Sequence, residues 1–355
     1  MKNWLALFIA VCVISLCGCG AVAPTSVEPV SEEPPRDKIV ERTITISCAG
    51  DCTLGTDSSF GGRTLPVEAQ AQDGDFSWFF KNVKPIFEND DLTIVNLEGT
   101  LTTRGVRQDK TFAFRGDPSY VNILTEGSVE AVTLANNHSM DYGETSLLDT
   151  KECLDNAGIV WFENLNTAVM EINGIKVGLI GLYALNGSAE GNLPKTIEDV
   201  KAKGAELIIV QVHWGVEGST VPNSSQRSLA YSAIDLGADL VIGHHPHVMQ
   251  GIEEYNGKMI VYSLGNFCFG GNQNPRDKDT MIYQQTFTFK NEELISDGNW
   301  QVYPARISSV NDRNNYQPTP MTGEEGARIR EKIQQMTEEI GGPSIKFAEI
   351  GNKMQ

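Results

Sequence analysis

GADLVIGHHPHVMQG, residues 237–251, runs from a glycine through a short apolar stretch into three imidazoles within four positions, on a chain with five histidines in all. A continuous apolar run of this length, bounded by glycine, reads as a strand covered on both faces. Its polar end then reads as the loop at the strand's carboxyl terminus. The same construction recurs along the chain in TITISCAGD (43–51), LTIVNLEG (92–99), AVTLANNH (131–138) and ELIIVQVHWG (206–215). Between these runs lie amphipathic stretches that predict helices: FSWFFKNVKPIFE (76–88), TSLLDTKECLDNAG (145–158) and SSQRSLAYSAIDLG (224–237). The last two close on Gly158 and Gly237 in the manner of a helix C-cap. Strands that alternate with helices imply an α/β layered domain.

Two hairpins are legible from Asn-Gly turns, at Asn173-Gly174 within 167–184 and at Asn256-Gly257 within 251–267. Further strands are expected near 281–289 and 299–308, and a charged helix near 323–340. No internal repeat and no second linker appears, so 43–340 reads as one domain followed by a tail, 341–355.

The first residues, MKNWLALFIAVCVISLCGCG, carry one lysine and then an apolar run of the length of a secretory signal. They also resemble a bacterial lipoprotein signal, in which Leu16 to Cys19 match the pattern Leu-x-Gly-Cys. That resemblance implies a signal peptide over 1–18, a lipidated Cys19, and an extracytoplasmic location at the cell membrane; a plain signal or an uncleaved anchor is the alternative. Residues 19–42, with four prolines among acids and small side chains, read as a flexible tether.

The 355-residue chain is 40% hydrophobic and carries a formal net charge of −18. Its field repels nucleic acid and anionic lipid surfaces alike, so neither is expected as a general partner. An anionic substrate would need local positive charge from metal ions or a few placed arginines and lysines. Of the seven cysteines, Cys48, Cys52, Cys153 and Cys268 fall in the domain. Four residues of extended chain span about 13 Å, whereas a disulfide needs its Cα atoms within about 7 Å. A Cys48–Cys52 bridge is therefore not expected, and free thiols are.

Asp51, Glu98, Asn137, His138, His213, His244, His245 and His247 all fall where an expected strand ends. In open α/β sheets those ends converge on one crevice. Carboxylate, amide and imidazole together suit a site for two divalent cations, with a carboxylate able to bridge them. His245 and His247, one residue apart around Pro246, can address two ions from one tight loop.

The order of GD, NLEG, LANNHSMDYG, VQVHWGVE, GADLVIGHHPHVMQG and YSLGNF resembles the calcineurin-like metallophosphoesterase superfamily, and more closely its bacterial capsule synthesis protein CapA family, over about 44–290. The resemblance implies a layered αββα sandwich of the metallophosphoesterase type, and two divalent ions, Mn, Zn or Fe. It gives Asp51 and His247 to the first metal, and Asn137, His213 and His245 to the second. Glu98 would bridge them, and His138 would protonate a leaving group or steady transition-state charge. Two departures stand out. Thr53 occupies the position of the usual Asp-x-His imidazole, and Glu98 replaces the usual aspartate.

Other assignments have structural alternatives. His244 either caps its strand or braces a ligand, and Asp141 and Glu217 either orient ligand histidines or cap helices. Arg115, in TFAFRGDPSY, is the candidate for gripping an anionic substrate through its planar fork, or else forms a surface ion pair. Asn266 either contacts substrate at the rim or forms a turn. Asn137 can make an Asx-turn, and His138 can be a structural loop residue. The expected function is capsule biosynthesis, of poly-γ-glutamate or a similar polymer, with metal-dependent hydrolysis of a phosphoester or polymer amide. The alternative is a non-catalytic subunit that assembles, exports or anchors the polymer beside a membrane synthase. The expected partners are an anionic envelope polymer or phosphoester, the membrane through the lipid anchor, and that synthase.

Overall fold

The computed structural model describes residues 40–350, which belong to one compact unit. The expected signal peptide, Cys19 and nearly all of the tether lie outside the described residues. The first described strand, Glu41–Thr53, includes the last two residues assigned to the tether.

That strand is the axis of the first sheet. Its neighbours on one side are Leu92–Leu97, Ala131–Thr133 and Val160–Phe162, all parallel. On the other side Asp279–Lys290, Glu293–Arg306 and Thr319–Pro320 run antiparallel. The second sheet has the order Ile252–Tyr255, Lys258–Val261, Leu240–His244, Leu207–His213, Ile175–Tyr183, Ala168–Ile172. Both Asn-Gly hairpins are present, with positive φ at Asn173, Gly174, Asn256 and Gly257, as a two-residue turn with the twist of its strands requires.

Between the sheets lies one apolar layer that joins Ile44, Ile46, Ile94 and Tyr283 of the first sheet to Val177, Leu179, Ile209 and Ile242 of the second. The outer face of the first sheet packs Val95, Val132 and Phe267 against Phe80, Phe87, Leu124 and Leu154 of the helical layer. The outer face of the second packs Ile208, Val210 and Val241 against Leu193, Ile197, Leu229 and Ala233. The architecture is the expected αββα sandwich. Strands buried on both faces explain why their sequences are continuous apolar runs. The helix Gly323–Glu339 lies apart from both outer layers: Ile329, Ile333 and Met336 enter the inter-sheet layer and close one edge of the sandwich. Beyond it the chain lies along the Glu293–Arg306 strand, where Val302 N donates to Lys346 O (2.8 Å) and Ala348 N to Val302 O (3.0 Å).

The expected helix over 76–88 is two single turns, Ser77–Phe80 and Lys84–Phe87, because Pro85 has no N–H to continue the first and stands at the start of the second. A helix at Ala189–Ala202 was not legible, since Pro194 sits inside it. Cys48, Cys52, Cys153 and Cys268 are free thiols, as expected. Among the described residues, no helix is long and apolar enough to cross a membrane.

Candidate metal centre

The parallel strands of both sheets end at the same end of the sandwich, and all five histidines gather there. Residue spacing and register do most of the work. Asp51 stands opposite Asn96 on one side and Asn266 on the other. That approach depends on Gly50, where a Cβ would fall 2.0 Å from the carbonyl oxygen of Gly265. In the second sheet His213 and His244 are partners in register, so one row of the sheet delivers two imidazoles.

Glu98 is the centre of the arrangement. Its side chain is fully buried, yet neither carboxylate oxygen has a hydrogen-bond partner. Its Oε1 lies 3.7 Å from His213 Nε2, 3.8 Å from His247 Nε2 and 3.9 Å from His138 Nε2. These separations are too long for hydrogen bonds and suit donor atoms grouped about a shared cation. Glu98, His245 and His247 each offer a ligand atom, all within 4.8 Å of one another. His245 Nδ1 is likewise buried without a partner, and so is the hydroxyl of Thr53. Burial, aided by the nearby carboxylates of Asp51, Asp141 and Glu217 and opposed by His247, pushes the Glu98 carboxyl up to about 8. A buried anion in this state costs several kcal/mol, roughly, unless a counter-charge arrives. The residues present therefore fit a bound divalent metal.

The flanking groups extend the set. Asp51 Oδ2 lies 3.1 Å from His247 Nδ1, and its Oδ1 accepts from Asn96 Nδ2 at 2.8 Å. Burial opposes ionisation of Asp51, but His244 and His247 together hold its carboxyl well below the usual range. Asn137 Oδ1 is 2.7 Å from His213 Nε2, and the His213 and His245 rings lie 4.7 Å apart. Burial lowers His245 to about 4, so its imidazole is neutral and able to ligate at pH 7. Burial lowers His213 as well, with the positive fields of its neighbouring histidines adding to the effect. His247 goes the other way: burial disfavours its charge, but Glu98 and Asp51 raise it to about 10. His245 and His247 both adopt positive φ, 96° and 57°, which turns two rings one residue apart toward one point. That left-handed winding was not legible from the sequence.

His138 is held differently. Its Nδ1 lies 2.7 Å from Asp141 Oδ2, its ring packs 4.5 Å from that of Phe114, and burial lowers its pKa. Its Nε2 is left facing Glu98. Asp141 thus orients an imidazole. Lys110, which sequence reasoning missed, sits behind the pair: its Nζ donates to Asp141 Oδ1 at 2.7 Å and to the Asn137 carbonyl at 2.8 Å. His244 braces and does not face the cluster, with Nε2 3.1 Å from Gln211 Oε1 and Nδ1 3.4 Å from Asp51. Asn96 and Asn136 were also missed. Asn136 Nδ2 donates to Asn96 Oδ1 (3.0 Å) and its Oδ1 accepts from His138 N (3.0 Å), which ties the two strand ends together. The asparagine of NLEG and the first of NNH were the available signals.

Three further candidates are placed as follows. Arg115 is on the strand Phe114–Gly116 of a small three-stranded sheet, where side chains alternate in direction. Phe114 faces the cavity above the centre, and the Arg115 guanidinium lies over the Tyr142 ring, 4.2 Å from its centroid. Asn266 is committed to His247, with Oδ1 3.0 Å from Nδ1 and Nδ2 donating to the His247 carbonyl at 3.1 Å. Glu217 is exposed on the cavity rim and, among the described residues, makes no hydrogen bond or ion pair to a histidine. The cavity itself measures about 780 Å³, with Phe60, Phe112, Phe114 and Phe269 on one side and His138 and His247 on its floor.

Comparison with known proteins places the chain among capsule-synthesis proteins by similarity. The chain is 35% identical over 214 residues to the PGA biosynthesis protein CapA of Bacillus subtilis (strain 168), covering 54% of this chain and 56% of that protein. It is 29% identical over 235 residues to the capsule biosynthesis protein CapA of Bacillus anthracis, covering 58% and 57%. It is 27% identical over 275 residues, 66% and 72% of the two chains, to a Mycobacterium tuberculosis protein named "Probable polyglutamine synthesis accessory protein". The match spans little more than half the length of the first two relatives. The description "Bacterial capsule synthesis protein PGA_cap" matches residues 45–271, a segment that holds every residue of the centre, and the chain belongs to that family.

Proposed function

We propose that this protein serves capsule-polymer synthesis outside the cytoplasm, on poly-γ-glutamate or a similar polymer, through a two-metal hydrolytic centre at the strand ends. The observation that carries the reading is the Glu98 carboxylate, buried with both oxygens unpaired beside three imidazole nitrogens. Asp51, His247 and Glu98 would hold one divalent ion, and Glu98, Asn137, His213 and His245 the other. When bound, such ions supply Lewis-acid stabilisation of the oxygen charge that develops during hydrolysis of a phosphoester or amide. The chain's own residues do the rest. Asp141, itself held by Lys110, fixes the His138 ring through Nδ1 so that Nε2, once protonated, can pass a proton to the leaving group or hydrogen-bond the reacting oxygen. Asn266 and Asp51 fix the His247 ring, and Asn96 keeps Asp51 aimed at it. Phe60, Phe112, Phe114 and Phe269 give the cavity an apolar border. The lipobox at Leu16–Cys19 supports attachment to the cell membrane.

A second reading is an assembly subunit that works beside a membrane synthase and does not turn over polymer. It is favoured by the name of the mycobacterial relative and by Thr53, which offers a hydroxyl where the superfamily usually offers an imidazole. Protein from Val40 onward, stripped and reloaded with manganese or zinc, separates the two. Metal-dependent cleavage of a phosphodiester or of polyglutamate that is lost in His138→Ala supports hydrolysis. Polymer binding without cleavage supports assembly, and less than one ion per chain after loading refutes the metal centre.

A further inference from the structure

In a chain of net charge −18, a cavity meant for anions must concentrate its cations deliberately. Lys110 is spent on Asp141, and Arg115 lies on Tyr142. Among the described residues that line the cavity, Arg276 is the one arginine or lysine. It is exposed, and among the described residues it makes no ion pair or hydrogen bond.

The wall that carries it is firmly built. Asn314 donates to the carbonyls of Phe269 (2.8 Å) and Asn272 (3.0 Å), and Asn314 N donates to Gln273 O (3.0 Å). Lys278 Nζ donates to the Pro275 carbonyl at 3.2 Å. The adjacent carboxylate, Asp277, would quench Arg276 if left to itself. It is instead taken by Lys332 of the Gly323–Glu339 helix, whose Nζ contacts both its oxygens (2.9 and 2.7 Å) and Asp279 (2.7 Å). Asp279 is held in turn by Arg328 through two bonds of 2.9 and 2.6 Å. The terminal helix therefore fixes the loop and occupies its negative charge. From 272 onward this wall lies beyond the segment that matches the family.

We propose that Arg276 is the specificity-determining cation of the cavity. It grips a second anionic group of the substrate, a carboxylate or a phosphate, while the reacting group sits at the strand ends. Lys332 is its positioning residue. Phe60, Phe112, Phe114 and Phe269 border the same space, and Phe112 is 46% exposed, so the spacer between the two anionic groups is apolar, a run of methylenes or a ring. The inference rests on the reading of this cavity as the substrate site.

The test uses the full chain loaded with manganese. Binding of an oligo-γ-glutamate (the carboxylate source) and of hexane-1,6-diyl bisphosphate (the phosphate source) is measured by calorimetry, beside turnover of p-nitrophenyl phosphate, which has no second anion. Arg276→Gln is expected to weaken one of the two multianionic probes about ten-fold, the loss of a charge-assisted contact, with the p-nitrophenyl phosphate KM unchanged. Arg276→Lys restores part of the loss. Lys332→Gln gives a smaller loss that Lys332→Arg repairs, a rescue that separates charge placement from mere folding. Equal binding of both probes by wild type and Arg276→Gln overturns the proposal, as does failure of wild type to bind either. Arg276-dependent binding without any turnover upholds it while refuting the hydrolytic reading. Metal-dependent turnover with binding indifferent to Arg276 does the reverse.

Discussion

Glu98 and Asp279 are both carboxylates removed from water, and the protein treats them in opposite ways. Asp279 receives two hydrogen bonds from Arg328 and one from Lys332, and these cations outweigh its burial and hold its carboxyl below the usual range. Glu98 receives none, and burial pushes it up to about 8. The chain supplies the counter-charge of Asp279 covalently, from a helix that packs the fold. Glu98 has within the chain only the His247 imidazolium, 3.8 Å away and beyond hydrogen-bond reach, so both its oxygens stay open to a cation from outside. Unpaired polarity inside a well-packed protein therefore locates the function more sharply than charge does.

The contrast can be broken most severely at the centre. With manganese or zinc at 1,000 times its dissociation constant, the wild-type chain should gain about 4 kcal/mol of stability. Glu98→Gln should gain almost none of it, and chelation should return wild type to the mutant's level. Denaturant unfolding with and without metal measures both. Asp279→Ala should cost about 1–2 kcal/mol, since it removes the carboxylate shared by Arg328 and Lys332, each of which keeps one other partner, Glu325 and Asp277, and the loss should be the same with or without metal. A metal-dependent loss there would erase the distinction.

Acidity sharpens the comparison further. In the metal-free protein Glu98 binds its proton more tightly when folded than when unfolded, so between about pH 4.5 and 8 the native state holds the extra proton. Stability of the apo chain should fall as pH rises through that window, by at most about 1.4 kcal/mol per pH unit from this group. Glu98→Gln should flatten the slope. Asp279 has the opposite sign: its depressed folded pKa contributes stability above its ordinary pKa near 4, which is lost as pH falls through the folded value. The smallest effect expected is that of Arg328→Gln, about 0.5–1 kcal/mol, because its side chain is 47% exposed and Lys332 still reaches Asp279.

Much of the centre was legible because strand ends are legible. Asp51, Glu98, Asn137 and the five histidines each follow an apolar run, and a parallel sheet has only one end at which to put them. Lys110, Arg276 and Phe112 follow no such run. Arg276 and Phe112 reach the cavity, and Lys110 reaches the back of the His138–Asp141 pair, along loops whose paths depend on distant partners, Asp141 for Lys110 and the terminal helix for the wall that carries Arg276. The face taken by Arg115 was not legible for a related reason: on a three-residue strand, one step of register decides which face a side chain takes. The left-handed backbone at His245 and His247 is likewise a product of the assembled loop.

The Gly323–Glu339 helix has a practical corollary. Ile329, Ile333 and Met336 plug the seam between the two sheets, yet they lie well past residue 271, where the recognisable family segment stops. A gene fragment trimmed to that segment would retain every ligand of the centre and still leave a raw apolar cleft along one flank. Such a fragment should come out of cells as aggregate, and its silence in an assay would say nothing about the chemistry.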